Sequence, residues 1–255
     1  MAQRIITGRR APIQERLIMS NEQKVAIVTG ASQGIGAGVV KAYRDNGFVV
    51  VANSRGIKPS ADEGVIPVGG NIGDRDVATQ VVKTAVERFG RIDTLINNAG
   101  IFISKPFTEY TGEDFRNVID VNVAGFFHVT QLAIAQMLKQ SSGHIVQITT
   151  ALVDQPIAGV PAVLASLSKG GLAAVTRALA IEYAKNGIRV NAVAPGIIKT
   201  PLHAPETHKF LAELHPVGRM GEISDIVDAI LYLERAKFVT GETLDVDGGQ
   251  HAGRW

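Results

Sequence analysis

From residue 24 onward, apolar runs alternate with helical patterns. Residues 24–30 (KVAIVTG) form a short β-branched run stopped by glycine, the pattern of a fully buried strand. Over residues 34–46 apolar positions recur at helical spacing until Asn46-Gly47 ends them. Residues 48–54 (FVVVANS) predict a second strand, 65–68 a short third, and 74–89 a helix closed by Gly90. A fourth strand over 92–100 runs into glycine. A long helical stretch over 111–139 precedes a strand at 144–150, and 161–186 predicts another long helix. In that helix Leu164, Leu167, Leu172, Val175 and Leu179 share helical spacing. A strand at 188–195, an irregular segment at 197–220, a helix near 222–234 and a strand at 242–246 complete the chain. Repeated βα units with apolar strands predict one α/β domain, a doubly wound parallel sheet with helices on both faces.

Composition narrows this picture. The 255 residues are 45% hydrophobic and contain no cysteine, which excludes disulfides and thiolate metal sites. No apolar run approaches the roughly 18 residues of a spanning helix, so no membrane partner is expected. The net charge of +2 is uneven, because Arg4, Arg9, Arg10 and Arg16 stand against Glu15 alone in residues 1–20. The remainder is nearly neutral, unlike a nucleic-acid binder, whose charge lies on a folded surface. Residues 1–20 therefore read as a basic extension, disordered or an Arg-rich targeting segment, and 21–255 as the folded domain. A cytoplasmic location is expected.

The segment TGASQGIG (29–36) follows the first strand and opens the first helix. Gly30 suits the tight turn, and Gly34 and Gly36 let backbone approach a pyrophosphate at the helix N-terminus, where free N–H groups and the helix dipole favour anions. Ser32, Gln33 and Ile35 complete that loop. At the end of the second strand Asn53, Ser54 and Arg55 stand where an acidic residue would hold a ribose 2′-hydroxyl. A guanidinium there suits a 2′-phosphate, so NADP is expected, with NAD the alternative.

Together with TGASQGIG, the motifs NNAG (97–100), Asn122 in VNVAGFF, SKGG (168–171), RVNAVAPG (189–196) and TGETLDVDGG (240–249) resemble the short-chain dehydrogenase/reductase family over residues 23–250. The resemblance implies a single-domain Rossmann-type fold, a nicotinamide dinucleotide, oxidoreductase activity on a small-molecule carbonyl or alcohol, and a homodimer or homotetramer built on the long helices. It implies that Asn71 borders the adenine and that Asn97, Ala99 and Gly100 flank the adenosine ribose. Pro195, Gly196, the Ile198 backbone and the Thr200 hydroxyl would form the nicotinamide clamp, and Lys169 would bind the nicotinamide ribose.

The same resemblance assigns catalysis to Asn122, Lys169 and a hydroxyl at Thr150, with Thr149 the other register. The family's tyrosine lies four residues before the lysine; here that residue is Ala165, and a methyl group carries no proton. Tyr43, Tyr183 and Tyr232 lie elsewhere, and Tyr110 alone is a candidate near a pocket. Asp154 and His203 are further candidates for contact with substrate. Ser166 and Ser168 are expected to point elsewhere on the helix, and His128 to be a packing residue. Three readings follow: an oxidoreductase whose proton comes from Thr150, water or the substrate; a catalytically impaired cofactor-binding protein acting as a regulator or partner subunit; and a structural or moonlighting module whose glycine loop is relict.

Overall fold

The computed structural model describes residues 23–253. The proposed extension at 1–20 lies outside them. Seven strands, β1 (Val25–Thr29), β2 (Val49–Ser54), β3 (Val65–Gly69), β4 (Thr94–Asn97), β5 (Gly143–Ile148), β6 (Ile188–Pro195) and β7 (Thr243–Val246), form one sheet in the order β3-β2-β1-β4-β5-β6-β7. Every pairing is parallel. Parallel strands need crossovers, and helices lie in all of them except the loop 55–64 between β2 and β3: α1 (Gly34–Asp45), α2 (Arg75–Phe89), α3 (Gly112–Val118), α4 (Gly125–Gln140), α5 (Val163–Tyr183), α6 (His208–Glu213) and α7 (Ile223–Arg235).

Alternate residues of each central strand feed opposite cores, because side chains change face at every residue. Ile27, Val51, Leu95 and Ile145 pack with Val81 of α2, Val129 of α4 and Ala180 of α5. Val28, Val50, Ile96 and Val146 pack on the other face with Val39 of α1 and Ile226 of α7. The expected single doubly wound α/β domain is therefore observed. Strand order reverses between β1 and β4, and their carboxyl ends open a crevice there, where ligands of open α/β sheets bind.

Three local expectations change. The stretch over 111–139 is not one regular helix: a π-helical turn, Ile119–Ala124, separates α3 from α4. The fourth strand stops at Asn97, because Asn98 turns its side chain to the backbone of β1. The irregular segment contains α6 and a bridge between Ile198 and Gly221. The expectation that nothing reaches membrane-spanning length is also corrected, since Gly112–Gln140 is long and apolar enough by composition. Polar residues such as His128 and Gln131 interrupt every run in it, yet its mean is high. In this fold Val129, Ala133 and Met137 place it against the core.

Candidate active site

The glycine loop is shaped by backbone constraints. Gly30 and Gly34 have φ of 66° and 56°, in the left-handed region that favours glycine. A Cβ on Gly36 would collide with the Gly30 carbonyl, so this position must stay bare for α1 to start here. Gln33 caps α1 without a side-chain hydrogen bond, and no acidic residue occupies the first turn. The N-terminal N–H groups of α1 thus face the crevice without a competing carboxylate, as a phosphate requires. Thr200 lies opposite, its methyl 3.4 Å from where a Cβ on Gly34 would stand. Two motifs far apart in sequence form the two lips of one cleft.

Asn98 locks the loop to the strand beside it. Its Nδ2 donates to the carbonyls of Thr29 at 2.9 Å and Gly30 at 3.1 Å, while the N–H groups of Asn98 and Ala99 donate to Thr29 Oγ1. At the end of β2, Asn53 is buried and its Nδ2 donates to the Val68 and Gly70 carbonyls. Its amide therefore ties β2 to β3, and Ser54 and Arg55 follow it at the end of the strand. Ser54 Oγ is buried with no partner among the described residues, and Arg55 is exposed beside it. Asn71 is exposed and accepts the Gly73 N–H. Asn97 donates to Thr130 of α4, so its side-chain amide is committed inside the chain.

Deeper in the cleft, the π-helical turn carries Asn122, which is 1% exposed. Its Oδ1 accepts the Ile101 N–H at 2.8 Å, and its Nδ2 donates to the Ile101 carbonyl at 3.1 Å and to Ser168 Oγ at 3.0 Å. Ser168 was expected to point away; instead it is buried and couples α5 to Asn122 while donating to the Leu164 carbonyl at 2.8 Å. Lys169 follows, its Nζ donating to the Ile148 carbonyl at 2.7 Å. A Cβ on Gly100 would stand 3.0 Å from Lys169 Nζ and 3.3 Å from Asn122 Oδ1, so NNAG closes over both. Burial lowers the Lys169 ammonium to about 8, because no carboxylate compensates the lost hydration.

Ala165 lies one turn before Lys169 on the same buried face of α5. Among the two threonines, Thr149 is buried and donates to the Val193 carbonyl at 3.1 Å. Thr150 is partly exposed and, among the described residues, its hydroxyl only accepts, from the Leu152 N–H, which leaves its proton available to a ligand. Tyr110 donates to the Ile103 carbonyl at 2.7 Å, and Tyr43 is buried against Glu234. Asp154 is exposed; His203 is half-buried, and burial with the neighbouring His208 charge lowers its pKa.

The family profile described as enoyl-(acyl carrier protein) reductase matches residues 30–251. A 3-oxoacyl-[acyl-carrier-protein] reductase of Thermotoga maritima is 35% identical over 91% of this chain and 99% of its own length. A 3α-hydroxysteroid dehydrogenase of Mediterraneibacter gnavus is 37% identical over 91% of this chain and 98% of its own. The chain belongs to the short-chain dehydrogenase/reductase family. Among solved structures, ElxO with NADP bound superposes with a TM-score of 0.84 at 30% identity, covering 91% of this chain and all of that one. A 3-ketoacyl-(acyl-carrier-protein) reductase from Brucella melitensis complexed with NADH gives the same score and identity.

As a short-chain dehydrogenase/reductase, the chain is an NAD(P)-dependent oxidoreductase, and the crevice described above fits its nicotinamide dinucleotide. The bare glycine loop, the uncapped helix start and the unpartnered Ser54 hydroxyl are the features that fit. Three participants escaped the sequence patterns: Asn98, Ser168 and His215 of the segment after α6. Asn98 and Ser168 had a signal, as letters of NNAG and SKGG to which no role was assigned.

Proposed function

We propose that this enzyme is a soluble cytoplasmic, NADP-preferring reductase of a small ketone, or the reverse dehydrogenase, in which Asn122, Lys169 and Thr150 move the proton without a phenol. The relatives' names, a 3-oxoacyl reductase and a 3α-hydroxysteroid dehydrogenase, support a ketone or secondary alcohol as the reacting group. The observation that carries the reading is Lys169, a buried ammonium with one carbonyl partner and a pKa brought to about 8. At neutral pH it holds a proton that it can yield within the range where general acids work best. Thr150 supplies a donor for the substrate oxygen, and Asn122, fixed by Ile101 and Ser168, offers the route for a water to recharge the lysine. The nicotinamide, when bound, supplies the hydride chemistry. Arg55 and Ser54 support the preference for a 2′-phosphate.

A positioned general acid is worth about 10²–10⁴-fold in rate, so simple ketones should turn over slowly and activated carbonyls or imines faster. Stopped-flow NADPH oxidation across such a panel is expected to find turnover above background; consumption indistinguishable from background on every member overturns the reading. Ala165 favours a second reading, a cofactor-binding protein with impaired chemistry. Replacing it, Ala165→Tyr, separates the two: strong new ketone reductase activity supports the impaired site, and no gain supports a cleft serving a different proton path. The apolar residues exposed on α3, α4 and α5, Phe115, Phe127, Leu138, Leu167 and Ile181, support a homodimer or homotetramer through these helices.

A further inference from the structure

His215 lies between α6 and α7, and its side chain joins the Leu211 carbonyl of α6 to the Ile197 N–H after β6. It is 3% exposed. Nδ1 lies 3.0 Å from the Leu211 carbonyl oxygen, which can only accept, so Nδ1 carries the ring proton. Nε2 therefore offers a lone pair to the Ile197 N–H, 2.9 Å away. The fit is close, since a Cβ on Gly196 would stand 2.8 Å from the same nitrogen.

The backbone it holds is the one that leads from β6 to the proposed nicotinamide clamp. Gly196 N–H donates to Val246, Lys199 N–H to Gly221, and Gly221 N–H to the Ile197 carbonyl. These bonds use the groups on either side of Ile198, so its own N–H and carbonyl face away from Gly221. The Ile197 N–H donates to a side chain instead, and that side chain is anchored to Leu211 of α6.

We propose that His215 is a positioning residue that ties α6 to the turn at 195–198 and thereby sets the Ile198 backbone and Thr200 hydroxyl for the nicotinamide end of the cofactor. The inference rests on the cofactor reading given above. It requires the neutral ring, because a second ring proton on Nε2 would confront the Ile197 N–H. Burial lowers the His215 pKa from its ordinary value; the Arg219 charge adds to this, while the Leu211 and Ala212 carbonyls and the Asp247 carboxylate oppose it. Asp225, Asp228, Asp245 and His251 line the cavity behind the ring. A lowered histidine pKa means the bond is fully present above about 6.5 and is lost as pH falls through the lowered value.

The test compares two probes by calorimetry. NADP reaches the whole cleft, whereas adenosine 2′,5′-diphosphate reaches only its adenosine side. Both carry the 2′-phosphate, so the ratio of their dissociation constants isolates the nicotinamide end. His215→Leu is expected to raise that ratio about tenfold, the worth of one hydrogen bond, through weaker NADP binding alone. Relative to that of His215→Gln, whose carbonyl accepts the Ile197 N–H without titrating, the wild-type NADP dissociation constant should rise as pH falls below about 6.5. A wild type that binds neither probe overturns the cofactor reading itself. If the wild type binds both, equal losses or no loss in His215→Leu overturn the positioning role. Should that variant fail to fold, wild-type and His215→Gln dissociation constants for NADP that keep the same ratio as pH falls overturn it alone.

Discussion

The two edges of the sheet treat buried polar groups in opposite ways. At the amino edge, Glu234 of α7 accepts from Thr94 Oγ1 at 2.9 Å, Tyr43 at 3.2 Å and His144 Nδ1 at 2.8 Å. His144 Nε2 faces Asn191 Nδ2 at 3.3 Å, and Arg189 donates to the carbonyls of Leu233, Glu234, Ala236 and Val239 at the end of α7. Each member has a partner inside the chain. Burial keeps His144 neutral; it would also raise the Glu234 carboxyl, but the hydrogen bonds from His144 and Thr94 hold that group down at about 2. At the carboxyl edge, Lys169 has one carbonyl, Ser54 Oγ has no partner among the described residues, and the Thr150 proton is uncommitted. An unpaired buried polar group costs about 1–3 kcal/mol, so a fold retains one where a ligand completes it. The satisfied edge serves stability and the unsatisfied edge serves binding.

Substitutions at the two edges should therefore fail in different assays. The largest effect is expected from Lys169→Met, which should lower kcat/KM by about 10²–10⁴-fold while leaving the urea midpoint near that of the wild type. Next, Glu234→Ala strands three donors and should cost about 3–5 kcal/mol in urea unfolding, with NADP affinity of the folded protein unchanged. Because the Glu234 pKa is lowered on folding, its contribution is present above the ordinary carboxyl value. It should disappear as pH falls toward about 2. A Glu234→Ala protein that keeps full stability but loses cofactor would break the comparison.

Smaller effects sharpen the carboxyl edge. Arg55→Ala is expected to raise the NADP dissociation constant about tenfold by calorimetry and leave that of NAD nearly level, as loss of a charge-assisted bond to the 2′-phosphate requires. The smallest is a pH effect. If Lys169 yields the proton, kcat/KM should decline as pH rises through about 8, since the ammonium is then lost, and the decline should be absent in Lys169→Arg.

How much of this was legible beforehand varies with the range of the interaction. The strand at 24–30 and the helix after it follow from β-branched runs and apolar spacing, which depend on neighbours in sequence. The glycine loop was legible because its backbone demands are local, as the positive φ of Gly30 and Gly34 shows. Thr150 and Thr149 were not separable, because which hydroxyl is free depends on the pairing of Thr149 with Val193 of β6. Ser168 and His215 were missed for the same reason. Their partners Asn122 and Ile197 stand 46 and 18 residues away, and each side chain alone looks like an ordinary polar residue in a helix or loop.

The sequence by itself determined the alternation of strands and helices, the glycine loop, and the lysine that follows Ala165 by one helical turn. These are consequences of side-chain volume, branching and glycine freedom over a few residues. Only the tertiary structure decided that Asn122, Lys169 and Gly100 converge, that Thr200 faces Gly34, and that His215 holds the turn between them. Those placements arise where β1 and β4 part and crossovers bring distant segments to one crevice, and directional hydrogen bonds select the geometry there.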